Sequence, residues 1–299
     1  MRTEGSMSSY YGLPLLKSPV WTWEIPAYFF IGGVAGSAAV VGAVARAAGA
    51  DPRLVSDARW LAAVGGAVSP ALLISDLGRP ERFLHMMRVF KIRSPMSVGA
   101  WTLVAFSNAA GASAFADAVK RLSGGRLPVK VVADAADIVA AATGLALSTY
   151  TGVLIGATAI PVWSRNVALL PLHFGASGLG AAVSMLELMG HNERALNRIA
   201  IATAAVETAV GYAIESRADP ALDPLKHGWS GNVTRIGGVL SGPLPLALRV
   251  VGGRSIGVRR LAAASTIAGS LLTRIGWLAA GRASAAQPPA PAAPAAPPA

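Results

Sequence analysis

The chain has 299 residues, of which 53% are hydrophobic and only 14% charged. Apolar residues plus glycine, without tyrosine, make up about 62% of it, against ~45–50% in soluble domains, whose charged fraction is ~25%. So few charges cannot cover a globular surface of this size, which excludes a soluble enzyme and makes lipid the solvent for most of the chain. The lack of cysteine excludes disulfides, thiolate nucleophiles, thiolate-ligated zinc and any iron–sulfur cluster held by this chain alone. The net charge of +11 comes from Lys and Arg scattered between apolar runs. That is the edge pattern of membrane helices facing anionic lipid headgroups, not the patch of a nucleic-acid binder.

In chain order, residues 1–22 form a tail without the apolar core of a cleavable signal peptide, so the first spanning helix is expected to direct insertion. A helix needs about 20 residues to cross a bilayer, and eight stretches qualify: 25–47, 59–76, 97–118, 134–157, 168–189, 195–214, 235–252 and 259–280. The expected fold is therefore all-α and polytopic. Pro26 sits in the first turn of the first helix, and Ser94-Pro95 caps and starts the third. Gly78 and Pro80 end the second. Gly32, Gly33, Gly36 and Ser37 give the first helix a face for close packing. The seventh stretch is the weakest, interrupted by Gly237, Gly238, Gly242, Pro243 and Pro245. The Pro/Ala-rich end, 283–299, is expected to be a disordered, polyproline-like tail. Lys and Arg divide 13 to 13 between the two faces, so the positive-inside rule does not orient the protein.

Parity does group the polar residues. With eight crossings, Glu24, Asp76, the 77–96 loop, Tyr150, His173, Glu207 and Arg274 all lie nearer the N-terminal face. Tyr150 and Glu207 come roughly 10 Å below their helix ends and Arg274 roughly 9 Å. An acid in a spanning helix is a functional candidate by default. Glu207 is read either as an ion pair with Arg274 locking the sixth and eighth helices or as a proton carrier in a polar channel. Asp76 lies at a helix C-terminus, where the dipole disfavours a carboxylate, so Arg79 and Arg82 are expected to offset it. Tyr150 is a buried phenol that needs a partner, and a quinone carbonyl is one candidate. Glu24 lies among Trp21, Trp23 and Tyr28, aromatics of the headgroup level. Only His173 of the four histidines falls in a predicted helix, which excludes a bis-histidine haem and leaves His173 as a hydrogen-bonding residue near the interface.

The segments WTWEIPAYFFIGGVAGSA (21–38), DLGRPERFLHMMRVFKIRSPMSVGAW (76–101), YTGVLIGATAIPVW (150–163), ETAVGY from Glu207 and LSGPLPLALR (240–249) together closely resemble the NrfD/PsrC family. These are the integral membrane subunits of polysulfide-reductase-like oxidoreductases. The resemblance runs from about residue 20 to 282 and is most specific in the DLGRP…RSPMSVGAW block. It implies two four-helix bundles (23–163 and 164–282), no haem or metal, and a menaquinone or ubiquinone site in the first bundle. It further implies an iron–sulfur partner and a catalytic subunit, with molybdopterin as a candidate cofactor of the latter. By the same resemblance Glu24, Asp76 and Tyr150 approach the quinone and handle its protons. Tyr28, Arg79 and His173 join Asp76 and Tyr150 as candidate contacts. Trp23-Glu24 stands where the family carries His or Asn, a departure from its pattern.

The leading expectation is thus a quinone-interacting membrane subunit of a respiratory complex in the cell membrane, with substrate chemistry on a partner. The alternatives are a passive anchor of such a complex, or a proton-translocating or transporter module built on Glu207.

Overall fold

The computed structural model describes residues 16–124 and 130–286. The N-terminal residues 1–15 and most of the expected disordered tail, 287–299, lie outside the described residues. Among the described residues the protein is all-helical, with no strand. Its elements are α1 (Glu24–Ala47), α2 (Pro52–Asp76), α3 (Glu81–Met86), α4 (Pro95–Leu122), α5 (Lys130–Gly156), α6 (Pro161–Ser164) and α7 (Leu169–Leu188). They continue with α8 (Arg194–Glu215), a 3₁₀ turn (Pro220–Leu222), α9 (Asp223–Lys226), α10 (Gly228–Ser241), α11 (Pro243–Gly252) and α12 (Ile256–Ala286).

The helix boundaries follow local chemistry. Asp51 accepts from the Arg53 N–H at 2.9 Å with Pro52 at the first helical position, which starts α2 seven residues before the apolar stretch begins. Ser94 accepts from the Ser97 N–H at 3.4 Å ahead of Pro95 and starts α4 as expected. Gly78 at φ 67° takes the left-handed turn that ends α2. Pro70 lies inside α2 and cannot donate to the carbonyl of Gly66. The Ser107 hydroxyl of α4 donates to that carbonyl at 2.6 Å instead, which is how a proline survives in a buried spanning helix.

Among the described residues, five helices are long and apolar enough to cross a membrane: α1, α2, α5, α7 and α12. Two other expected spans are continuous helices of 28 residues (α4) and 22 residues (α8) that are not among the five. The seventh stretch is broken, as its glycines and prolines foretell. α10 stops at Ser241, Gly242 bends, and α11 restarts at Pro243. Ser265 of α12 donates to the Leu240 carbonyl at the break, 2.7 Å away. At the far end α12 runs to Ala286, so residues 283–286, expected in the disordered tail, are helical.

Helices α1, α2, α4 and α5 pack on one another, and α7, α8, α10, α11 and α12 do likewise. Contacts of α1 and α5 with α7, and of α1 with α12, join the two groups. The small residues of α1 sit at crossings both within its group and between the groups. A Cβ on Gly36 would collide with the Gly144 carbonyl of α5, and one on Gly178 of α7 would lie 3.0 Å from the Gly33 carbonyl. The outer surface carries large apolar side chains such as Val64, Phe115, Val131, Ile138 and Val250, a surface suited to lipid.

Candidate functional site

Local sequence brings three of the expected residues into one cleft. Tyr28 follows from the first turn of α1, Asp76 is the last residue of α2, and Tyr150 lies two turns before the end of α5. With Trp21, Ile25, Phe29, Leu73, Met86, Met96, Gly99 and Leu154 they line a cavity of about 80 Å³. Gly99 is required here, because a Cβ at that position would fall on the Tyr150 ring. Trp21 closes the inner side, stacked on Trp163 at 5.7 Å between ring centres.

The polar groups of this cleft have unequal freedom. Tyr150 donates its hydroxyl proton to the Pro95 carbonyl, a backbone partner in place of the ligand carbonyl considered from sequence. Asp76 accepts from the Thr22 N–H at 3.3 Å and lies 3.2 Å from the Thr22 hydroxyl, which also bonds Glu24. One hydroxyl proton therefore serves two carboxyl groups in turn, linking Glu24 to Asp76 through Thr22. Tyr28 is 3% exposed and its hydroxyl has no partner among the described residues. Thr22 was not singled out from the sequence, since an isolated threonine in a tail carries no pattern.

Arg79 and Arg82 do not hold Asp76. Arg79 is exposed, and Arg82 donates instead to the Leu77 carbonyl at 3.3 Å. It thereby satisfies the end of α2, where a cation complements the helix dipole.

His173 lies away from this cleft. Its Nδ1 is 2.9 Å from Glu207 Oε1, and Ser241 at the α10–α11 break donates to Glu207 Oε2 at 2.9 Å. All three residues are buried. The expected Glu207–Arg274 ion pair is not formed. Arg274, fully buried, donates to the Ser177 and Ser270 hydroxyls at 2.7 and 2.8 Å and to the Phe174 carbonyl at 3.1 Å. It also reaches the Phe29 carbonyl at 3.4 Å and lies over the Phe174 ring, 5.1 Å from its centre. Equal depth placed Glu207 and Arg274 at one level, but helical phase turns Arg274 toward α1 and α7. His173 and Glu207 instead line a second cavity of about 420 Å³ between α8, α10 and α12.

The opposite ends of the helices hold the main buried charge, so polar residues do not gather on one face only. Asp137 of α5 meets Arg59 at 2.5 Å and Arg46 at 3.0 Å, and Asp117 of α4 meets Arg121 at 3.0 Å. Glu187 of α7 meets Arg249 at 2.7 Å and also Arg259. His191 joins α2 through Asp57 at 2.8 Å. The sequence held the signal, since Asp137, Glu187 and Arg249 all fall inside the apolar stretches.

The fold and these sites define a multi-pass, all-helical membrane protein with a polar cleft at one end of its first helices. The family described as polysulphide reductase, NrfD matches residues 14–203, more than half of the chain, and the chain belongs to the NrfD family. The match covers every residue of the cleft and His173, and ends before Glu207 and Arg274. No curated protein matches the chain.

Proposed function

We propose that this chain is the quinone-interacting membrane subunit of a multi-subunit respiratory oxidoreductase. It exchanges electrons between a partner iron–sulfur subunit and the membrane quinone pool, with substrate chemistry on a further catalytic subunit. In this reading the chain crosses the membrane eight times, in bundles 23–163 and 164–282, with α10 and α11 together making the seventh crossing. Membership of a family of membrane subunits from quinone-linked complexes supports it. The observation that carries it is the cleft joining Tyr28, Asp76 and Tyr150 behind apolar walls.

The residues present fit a quinone ring in kind. The Tyr28 hydroxyl, without a partner among the described residues, is the group that can donate to a carbonyl oxygen. Asp76, linked through the exposed Thr22 to Glu24, can hold a proton and exchange it with Glu24. Tyr150, committed to the Pro95 carbonyl, fixes the floor of the cleft and can still accept a hydrogen bond. At about 80 Å³ the cavity is smaller than the ~300–1,000 Å³ usual for a whole ligand. The flexible thioethers of Met86 and Met96 form the wall that widens to admit a ring. When bound, the quinone supplies the two-electron, two-proton couple.

Gentle purification of the complex from its own membranes, followed by assay of bound quinone and iron–sulfur protein, tests the reading. Both are expected, and Asp76→Asn and Tyr28→Phe should lower quinone-linked turnover while the complex assembles. An iron–sulfur partner without quinone, even after quinone is added back, would support the passive anchor. The engaged Tyr150 and the small cavity favour that second reading. Neither component would count against both.

A further inference from the structure

The second cavity is larger than the first and is built differently. It lies between α8, α10 and α12, with a volume of about 420 Å³, within the ~300–1,000 Å³ range of small-molecule sites. Two of its lining residues, Tyr212 and Val239, are exposed on the apolar outer surface, so on that side it opens toward lipid, with the half-exposed Glu215–Arg235 pair also at its rim. Ile214, Leu225 and Pro243 make further apolar wall.

At its inner end are polar groups with nothing in the protein to bond. The Thr273 hydroxyl and the Trp277 indole N–H are both buried without a hydrogen-bond partner among the described residues. The two residues are 1% and 0% exposed and line the cavity. His173, 5% exposed, holds Glu207 through Nδ1 beside them. An orphaned donor in a membrane interior is costly, since no bulk water offsets it. Two such groups around one cavity indicate a ligand that supplies the missing oxygen. An indole N–H only donates, so the ligand must present an acceptor there.

Charge selects the class of ligand. Glu207 brings a carboxylate to the wall, and a phosphate headgroup beside it in a medium of low dielectric is disfavoured. Arg235, the cation at the cavity's edge, is already paired with Glu215. A neutral head with carbonyl oxygens on an apolar body satisfies both conditions.

We propose that this cavity in the second group of helices is a second quinone-class site. It binds a neutral carbonyl-bearing ring by Trp277 N–H and Thr273 O–H, with the prenyl tail leaving between Tyr212 and Val239. The inference takes from the proposed function only the class of molecule dissolved in the membrane, and the two cavities are scored separately in its test.

The test is photolabelling of the whole complex in native membranes with a short-prenyl naphthoquinone carrying a diazirine, followed by peptide mapping. Adducts are expected within 207–215 and 234–243, and excess unlabelled naphthoquinone should abolish them. Thr273→Val, which is isosteric and breaks no existing bond, should weaken labelling about 2- to 10-fold, the worth of one hydrogen bond. Trp277→Phe is a second variant for the same readout, and labelling around Tyr28 should stay unchanged in both. Absence of competed adducts in these segments would overturn the proposal, as would labelling indifferent to both variants. A diazirine phospholipid that labels the same residues, and is displaced by phospholipid but not by naphthoquinone, would also overturn it and make this a lipid site. Loss of adducts around Tyr28 alone would count against the first cavity and leave the second standing.

Discussion

Glu187 is a buried carboxylate held by two arginines and gives the sharpest test of what holds the far end of the protein together. It is 2% exposed, and Arg249 grips it with two nitrogens at 3.1 and 2.7 Å while Arg259 takes its other side. Glu187→Gln keeps the shape but removes the charge. Arg249 would retain Asn197 at 3.0 Å, and Arg259 the Asn192 carbonyl at 3.1 Å, neither of which neutralises a guanidinium. Breaking a buried pair and stranding its partner costs about 3–5 kcal/mol, or roughly two to four powers of ten in the unfolding equilibrium. The half-exposed Glu215–Arg235 pair is the internal control, and Glu215→Gln should cost ~0–1 kcal/mol. Unfolding in mixed micelles, followed by tryptophan fluorescence, reads both. Replacing the pair together, Glu187→Leu with Arg249→Met, should recover part of the loss, since packed apolar residues often substitute for a buried ion pair. If Glu187→Gln unfolds within 1 kcal/mol of Glu215→Gln, the desolvation argument is wrong and the cluster does not stabilise the fold.

The remaining predictions concern packing and the two cavities. Gly36→Ala puts a methyl group onto the Gly144 carbonyl and should lower stability by ~1–3 kcal/mol. Gly111→Ala, with nothing within 4 Å, should be neutral or gain up to about 1 kcal/mol, and similar thermal shifts for the two would refute the close α1–α5 crossing. Tyr150→Phe loses its bond to Pro95 and should cost ~0.5–1.5 kcal/mol in the same unfolding assay. Tyr28→Phe loses no protein bond, so its effect should fall on quinone-linked turnover and not on stability. The reverse ordering would exchange their roles. A double-mutant cycle on His173 and Glu207 should return a coupling of ~0.5–3 kcal/mol, and a cycle on Glu207 and Arg274 a smaller one; the opposite result would restore their ion pair.

The helical architecture was legible because lipid imposes it. Length and apolarity mark the long helices but not the short α3, α6 and α9 between them, and Ser94-Pro95, Gly78 and the Gly242-Pro243 break announced their own turns. The cleft was legible through resemblance and parity, which put Tyr28, Asp76 and Tyr150 at one end. Partner choice was not. Depth along a helix axis follows from counting residues, but which neighbour a side chain meets depends on rotation about that axis and on where the helices cross. Arg274 and Glu207 share a depth, yet Arg274 turns to hydroxyls and carbonyls of α1, α7 and its own helix while Glu207 turns to His173 and Ser241. The arginine–carboxylate clusters were overlooked for a related reason. Arg46, Arg59, Arg249 and Arg259 sit at the margins of apolar stretches, where a basic residue ordinarily reaches the headgroups.

How each buried polar group is satisfied separates framework from site. At one end, Asp117 and Asp137 meet Arg59 of α2 and Glu187 meets Arg249 and Arg259, each across a helix crossing. These paired charges fix neighbouring helices in register, and a group so engaged has little left to offer a ligand. At the other end the groups are mostly neutral, and the Thr273 hydroxyl and Trp277 N–H are buried without partners among the described residues. Arg46, Arg249 and Arg259 also leave Nε without a hydrogen bond, but their other nitrogens are paired with carboxylates. The neutral donors of the second cavity have no such partner, and a membrane interior tolerates them poorly. Arg274 connects the two settings. It is buried with no carboxylate within 4 Å among the described residues, and it ties α1, which bears Tyr28, to α7, which bears His173. A change in either cavity that moves α1 or α7 is therefore felt at Arg274.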